Sequence, residues 1–400
     1  MRLPTRASAL LCVLATSIQA KLRPADQLAL FGQTPIEPLL QSPIAVSRAT
    51  LLPQDEVKNT SQLLKVYTSK TFSGGRGMSI ITTPDRIKDF ANVDPLAEGT
   101  NEVDPFAPFE ERVIPGKGRG LFATRYIHRG ERIFATTPLV LIDSAIVDEE
   151  EDVQESLVKE AAEKLPPGSR ESFWDMYAQN EAIPARSRVD SNAFDVDVHG
   201  NNYFGVMPES ARLNHDCRPN TNYFFDPDTL THFIHAVADI PPGTEITDTY
   251  IDVTMPRDAR MAKLKRNWGF TCSCSLCSAH SKLSDASDGR LQHIQELNGY
   301  FWQSWEAATP AMAETLISLY QQERLYTSYS QGYMNAAFAY CAAGRHWETV
   351  KYAHLAHEAT ILDDGFYSSD VDTLKDLIND PESQTCWLRR ERGRTLTPLD

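Results

Sequence analysis

Cys272, Cys274 and Cys277 place three thiols within six residues. Thiolates packed so closely are soft donors suited to zinc, which in structural sites takes four ligands in a tetrahedron. The fourth must come from elsewhere in the chain, and Cys217 is the only other cysteine in the β-rich part of the sequence. Spacing alone leaves that assignment open. Disulfide scaffolds are short and spread their cysteines, so this cluster reads as a metal site. Of the remaining cysteines, Cys341 and Cys386 fall in helical context and are expected as ordinary core residues.

The elements that must hold these thiols are spread over 400 residues, enough for two or three domains. Hydrophobic residues make up 42% of the chain, so real cores can form, and the formal net charge is −15. No global basic footprint exists for direct nucleic-acid binding. An acidic protein suits a basic, lysine-containing peptide or protein substrate. From residue 110 short β-rich runs alternate with glycine turns, as in Gly116 to Ala123 and Arg129-Gly130, which predicts small antiparallel strands. Pro138 to Asp143 continues this texture. Residues 144–190 carry an acidic run at Asp148 to Asp152, then Leu157, Ala161, Leu165, Phe173, Trp174 and Tyr177 at helical spacing. Strand texture returns at Phe194, Tyr223 to Phe225, His232 to Val237 and Thr244 to Ile251. Beyond Cys277 the chain reads as helical, with Met334, Ala337, Phe338 and Cys341 on one helix, a break at Gly344, and Trp347, Val350 and Ala353 on the next. That pair is of the tetratricopeptide kind, with the repeat count open.

The first residues carry a different signal. Arg2 and Arg6 precede the apolar run Ala7 to Ile18, which ends at Gln19-Ala20. This has the layout of a secretory signal peptide and is too short to span a bilayer comfortably. Asn59-Thr60-Ser61 is a formal glycosylation acceptor. Residues 21–109 show no sustained apolar period and are expected to be largely irregular. No further segment after residue 20 reads as membrane-spanning.

Four motifs, in order, resemble those of SET-domain proteins. Gly116 to Ala123 resembles the opening of the domain, and Arg212-Leu213-Asn214-His215-Asp216-Cys217-Arg218-Pro219-Asn220 its signature loop. Gly243 to Asp252 resembles the motif bearing the catalytic tyrosine, and Trp268 to Cys274 the post-SET segment. The helical tail is similar to that of the SET-and-MYND lysine methyltransferases and their fungal relatives. No cysteine lies between Cys12 and Cys217, so the inserted MYND zinc finger of those relatives is missing.

The resemblance implies an α+β chain. Its parts are a possible signal peptide at 1–20, an irregular region at 21–109, a SET domain at 110–256 with a helical insert at 144–190, a post-SET zinc segment at 257–280, and an all-α, tetratricopeptide-like domain at 281–400. The SET fold would close in a knot-like manner. It further implies that Cys217, Cys272, Cys274 and Cys277 share one structural Zn2+. The activity implied is lysine N-methylation with S-adenosylmethionine as co-substrate. Lys117, Gly118, Arg119, Gly120, Asn214, His215, Tyr250 and Phe270 would hold that co-substrate, the glycines by letting backbone approach it. Tyr250 would be catalytic, and Phe194 and Trp268 would wall the lysine channel. Two other readings stand beside this one: a non-catalytic SET protein that binds partners through its tail, and a SET enzyme acting on a non-histone protein or a small amine. The N-terminus points to the secretory pathway, whereas the family resemblance points to nucleus or cytoplasm. Oligomeric state is not legible.

Overall fold

The computed structural model describes residues 64–90, 107–304 and 308–390. The signal-peptide reading at 1–20 and the acceptor at Asn59 lie outside the described residues. Among those described, no helix is long and apolar enough to cross a membrane.

The architecture is α+β, with three small sheets followed by helices. Among the described residues twelve strands are formed: β1 Lys65–Ser69, β2 Met78–Thr82, β3 Phe109–Ile114, β4 Gly118–Ala123, β5 Arg132–Thr136, β6 Val140–Asp143, β7 Ala193–Val198, β8 Asn201–Val206, β9 Asn214–His215, β10 Thr221–Asp226, β11 Thr231–Ala236 and β12 Glu245–Asp248. The sheets run β1-β2-β6-β8-β7, β10-β11-β5 and β3-β4-β12-β9. Most pairs are antiparallel, as their glycine turns predict. Two are parallel, β2 with β6 and β9 with β12, and these join segments distant in sequence.

Part of the stretch expected to be irregular therefore supplies two strands. Every residue of β2 is buried, and its register against β6 sets Ser79, Ile80 and Ile81 opposite Val140, Leu141 and Ile142. Burying side chains such as Ile81, Leu141 and Ile142 contributes about 1.5–3 kcal/mol each. The apolar run of β2 is too short to show a period, and its partner lies some 60 residues on.

The insert folds as α1 Glu151–Glu163, α2 Pro167–Trp174 and α3 Pro184–Asn192. The acidic residues Glu151 and Asp152 occupy the first turn of α1, where the helix dipole favours negative charge. Its face of Val158, Ala161 and Ala162 is buried, in one core with Ile81, Val140 and Phe173. Next comes α4 Arg257–Trp268, then the helical tail: α5 Ser281–Ser304, α6 Pro310–Glu323, α7 Tyr329–Ala342, α8 His346–Asp363 and α9 Ser369–Asn379.

Two features tie the tail together and to the sheets. Arg218, in the signature loop, reaches Glu323 at the end of α6, with Nη2 2.6 Å from Oε2 and both side chains almost wholly buried. Ser287 and Arg290 of α5 also bond to that carboxylate at 2.7 and 2.6 Å. Arg218 Nε donates to the Glu323 backbone carbonyl and Nη1 to the Cys217 and Val253 carbonyls, so little of this buried charge is left unsatisfied. Cys341 and Cys386, expected as separate core thiols, are instead a disulfide pinning the end of the described chain to α7. Both are buried, so the core environment was read correctly and the covalent link was missed. Replacing both by serine is expected to lower stability by about 2–4 kcal/mol through a less constrained unfolded chain. A urea midpoint that stays where it is, at unchanged slope, would contradict this.

Candidate active site

Three chain segments converge on Tyr250. The loop ending in β9 brings Asn214 to Cys217, and the turn after β12 brings Tyr250 itself. The end of α4 and the loop beyond it bring Trp268 to Cys277. Gly269 makes the last of these possible. At φ 76° it caps α4 in the left-handed conformation and donates to the Lys265 carbonyl, turning the chain so that Trp268 and Phe270 both face Tyr250. The Tyr250 ring lies 5.2 Å from Trp268, 5.4 Å from His215 and 6.5 Å from Phe270.

The four sulfurs of Cys217, Cys272, Cys274 and Cys277 are buried and lie within 4.8 Å of one another. Cys217 Sγ is 4.0 Å from Cys272 Sγ and 3.5 Å from Cys277 Sγ. A tetrahedron with Zn–S bonds of about 2.3 Å requires sulfur separations of roughly 3.8 Å, so the donor set fits zinc in both chemistry and size. Cys341 and Cys386 are bonded to each other and take no part. Hydrogen bonds from the other three thiols hold the Cys274 thiol far below its ordinary range, and those from Cys217 and Cys272 lower Cys277 to about 7, whereas Cys217 is pushed far up. Charge crowding of this kind is what a dication relieves. Arg260 of α4 is almost fully buried beside the cluster. Burial lowers its pKa, but the Cys217 and Cys277 sulfurs more than offset this, so it stays charged.

Both ring nitrogens of His215 have partners. Nδ1 accepts from the Tyr250 backbone amide at 3.1 Å, and Nε2 lies 3.3 Å from Cys217 Sγ. Burial holds its pKa down to about 4, so the ring is neutral. The imidazole thus fastens Tyr250 to the cysteine cluster. Asn214 Nδ2 donates to the Arg119 carbonyl at 3.1 Å and to Glu245 Oε1 at 2.9 Å. That contact explains Gly120: a Cβ there would sit 2.6 Å from Asn214 Nδ2. Lys117 Nζ pairs with Glu245 Oε2 at 3.5 Å. Arg119 turns to Asp175 and Glu111, in a network that also holds Arg212. Gly118 lies at φ +83° with open space around it.

The Tyr250 hydroxyl donates to the Leu213 carbonyl at 2.8 Å. Burial, with the negative charge of Asp248 and Glu245, pushes its pKa upward, so it is a neutral phenol. Trp268 Nε1 donates to the Ser191 carbonyl at 3.2 Å, anchoring the indole beside the start of β7. Phe194 of β7 makes its ring contacts with Tyr223 at 5.2 Å and His232 at 4.8 Å, and no described ring contact joins it to Tyr250 or Trp268. Sequence reasoning missed Glu245 and Asp248, although both lie inside the motif that singled out Tyr250. It also missed Arg260 and Glu323, whose signal is only in three dimensions.

Residues 118–251 match the SET domain family. This chain carries a SET domain. The chain is similar to histone-lysine N-methyltransferase set5 of Schizosaccharomyces pombe, 32% identical over 195 residues, which cover 47% of this chain and 57% of that protein. Similarity extends to human histone-lysine N-methyltransferase SMYD3, 32% identical over 167 residues, 39% of this chain and 36% of that one. It extends also to chicken (Gallus gallus) N-lysine methyltransferase SMYD2, 31% identical over 125 residues, 30% and 27% of the two chains. The match therefore spans little more than half the length of set5 and less of the other two. Asn214, Cys217 and Tyr250 lie inside the residues that match the SET domain, and Cys272, Cys274 and Cys277 follow them.

Proposed function

We propose that this protein is an S-adenosylmethionine-dependent protein-lysine N-methyltransferase. The observation that carries this is the convergence of Asn214–Cys217 and Tyr250, inside the residues that match a SET domain, with Trp268–Cys277 just beyond them, on one buried-walled site. The relatives are named as histone-lysine and N-lysine methyltransferases, which supports a protein lysine as the acceptor.

In this reading Lys117, Gly118, Arg119, Gly120, Asn214, His215, Tyr250 and Phe270 surround the co-substrate, Gly118 and His215 through backbone and Phe270 through its ring face. When bound, S-adenosylmethionine supplies an electrophilic methyl group. Tyr250 holds the amine in line with it and stabilises partial positive charge through its hydroxyl oxygen, whose proton is already committed to Leu213. Trp268 and Phe194 wall the channel, exclude water and desolvate the amine. Cys217, Cys272, Cys274 and Cys277 would hold a structural Zn2+ that clamps the post-SET segment to the signature loop. The parallel pairing of β9 with β12 supports a knot-like closure, and the packed pair α7–α8 supports a tetratricopeptide-like tail.

The test is methyl transfer by zinc-loaded protein from S-adenosyl-[methyl-3H]methionine to core histones and to whole-cell extract. Radiolabelled methyl-lysine after hydrolysis is the expected outcome. Failure to bind the co-substrate in calorimetry, with no labelled lysine from either source, would overturn the reading. For compartment, the Cys341–Cys386 disulfide supports passage through an oxidising environment. A mature N-terminus at Lys21 by mass spectrometry is the matching result, and an intact Met1 the opposing one.

A further inference from the structure

Lysine methylation needs the neutral amine, yet a lysine at neutral pH is an ammonium with a pKa of about 10.4. Something must take its proton. Tyr250 is poorly placed to do so: its phenol is neutral, and its hydroxyl hydrogen is given to the Leu213 carbonyl. His215 has both ring nitrogens engaged.

Asp248 stands apart from these. It ends β12, two residues before Tyr250, and is only 2% exposed. Oδ1 accepts from the Thr249 amide at 2.7 Å. Oδ2 is buried with no hydrogen-bond partner. A carboxylate oxygen left in that state is costly unless a donor arrives during function. Alternation along the strand puts Asp248 on the same face as Ile246, whose core includes Tyr223 of β10 at its edge. Its charge acts on the hydroxyls of both Tyr223 and Tyr250. Tyr223 backs onto Phe194, and Tyr250 onto Trp268, the two proposed channel walls. The charge of this carboxylate therefore reaches the phenols that stand against both proposed channel walls.

We propose that Asp248 is a catalytic residue whose Oδ2 receives the substrate lysine's ε-ammonium and accepts a proton from it before methyl transfer. The N–H bond breaks, its electron pair stays on nitrogen as the nucleophilic lone pair, and an O–H bond forms on Oδ2. The proton passes to water once the product leaves. This inference rests on the methyltransferase reading and names the proton acceptor within it.

The surroundings suit the task. From β9, His215 is neutral; from β10, Tyr223 is a neutral phenol, with Asp195 of β7 beyond it. On its own strand Glu245 is paired with Lys117 and Asn214, and on β4 Arg119 is paired with Asp175 and Glu111. Among the described residues no cation is paired with Asp248. Burial pushes its pKa up to about 7, close to the pH at which a proton acceptor works best.

Asp248→Asn keeps the shape and removes the base. Measured on core histones with tritiated co-substrate, its turnover is expected to be about 100-fold below wild type at pH 7, in the range for loss of a general base. At pH 9.5 solution deprotonation of lysine should replace the carboxylate, and the deficit should shrink to about tenfold or less. Co-substrate affinity and zinc content should match wild type. A variant within twofold of wild type at pH 7, or one equally impaired at both pH values, overturns the inference while an active wild type leaves the methyltransferase reading standing. A wild-type protein that labels no lysine removes both. Should Asp248→Asn fail to bind zinc, Asp248→Ser is judged by the same two rates.

Discussion

Tyr250→Phe is expected to reduce methyl transfer by about 100-fold or more while leaving co-substrate affinity within about twofold, as loss of one preorganised transition-state contact does. The substitution keeps the ring against Trp268 and His215 and removes only the hydroxyl. That hydroxyl is fixed by its bond to the Leu213 carbonyl, so its oxygen is held in place without reorganising during the reaction. Losing the bond also leaves a carbonyl unpaired, at a stability cost of about 1–3 kcal/mol. Turnover should therefore be compared well below the melting transition of both proteins. Unchanged turnover, or a loss lying entirely in co-substrate binding, would remove the role given to Tyr250.

The second large effect concerns the metal. Cys274→Ser, or chelation of the wild type, should abolish zinc binding and activity together. Binding of a structural zinc is worth about 10–16 kcal/mol in small zinc domains, so its loss cannot be absorbed locally. The consequence should spread along the contacts of the cluster. His215 touches Cys217 and holds the Tyr250 amide, and Arg218 carries the signature loop to Glu323 on α6. Hydrogen exchange should accelerate from Trp268 through Cys277 and at Tyr250, with smaller changes in α6. A mutant with one full equivalent of zinc by atomic absorption would refute the ligand assignment.

These chemical groups were legible in the sequence because their types and spacing are unusual. Three thiols in six residues have few other uses, and Tyr250 sits in a recognisable motif. What could not be read depended on distant partners. β2 is a short apolar run whose identity as a buried strand comes from β6. Cys341, in α7, and Cys386, in a turn, are 45 residues apart, and nothing in either context announces the other. Arg218 and Glu323, 105 residues apart, form a buried ion pair whose desolvation is offset by further bonds from Ser287 and Arg290 to the same carboxylate. The sequence likewise placed His215 at the site without revealing that its ring serves the cysteines and Tyr250. Asp248 was in plain view within the tyrosine motif, but its burial and its lone Oδ2 are properties of three dimensions.

The most direct test is a crystal structure of zinc-loaded protein with S-adenosylhomocysteine, using anomalous scattering at the zinc edge. It should place one zinc among Cys217, Cys272, Cys274 and Cys277, and the ligand between the Gly118 turn, Asn214 and Phe270, with its sulfur facing the Tyr250 hydroxyl. A ligand bound elsewhere, or an anomalous peak away from those four sulfurs, would contradict the account.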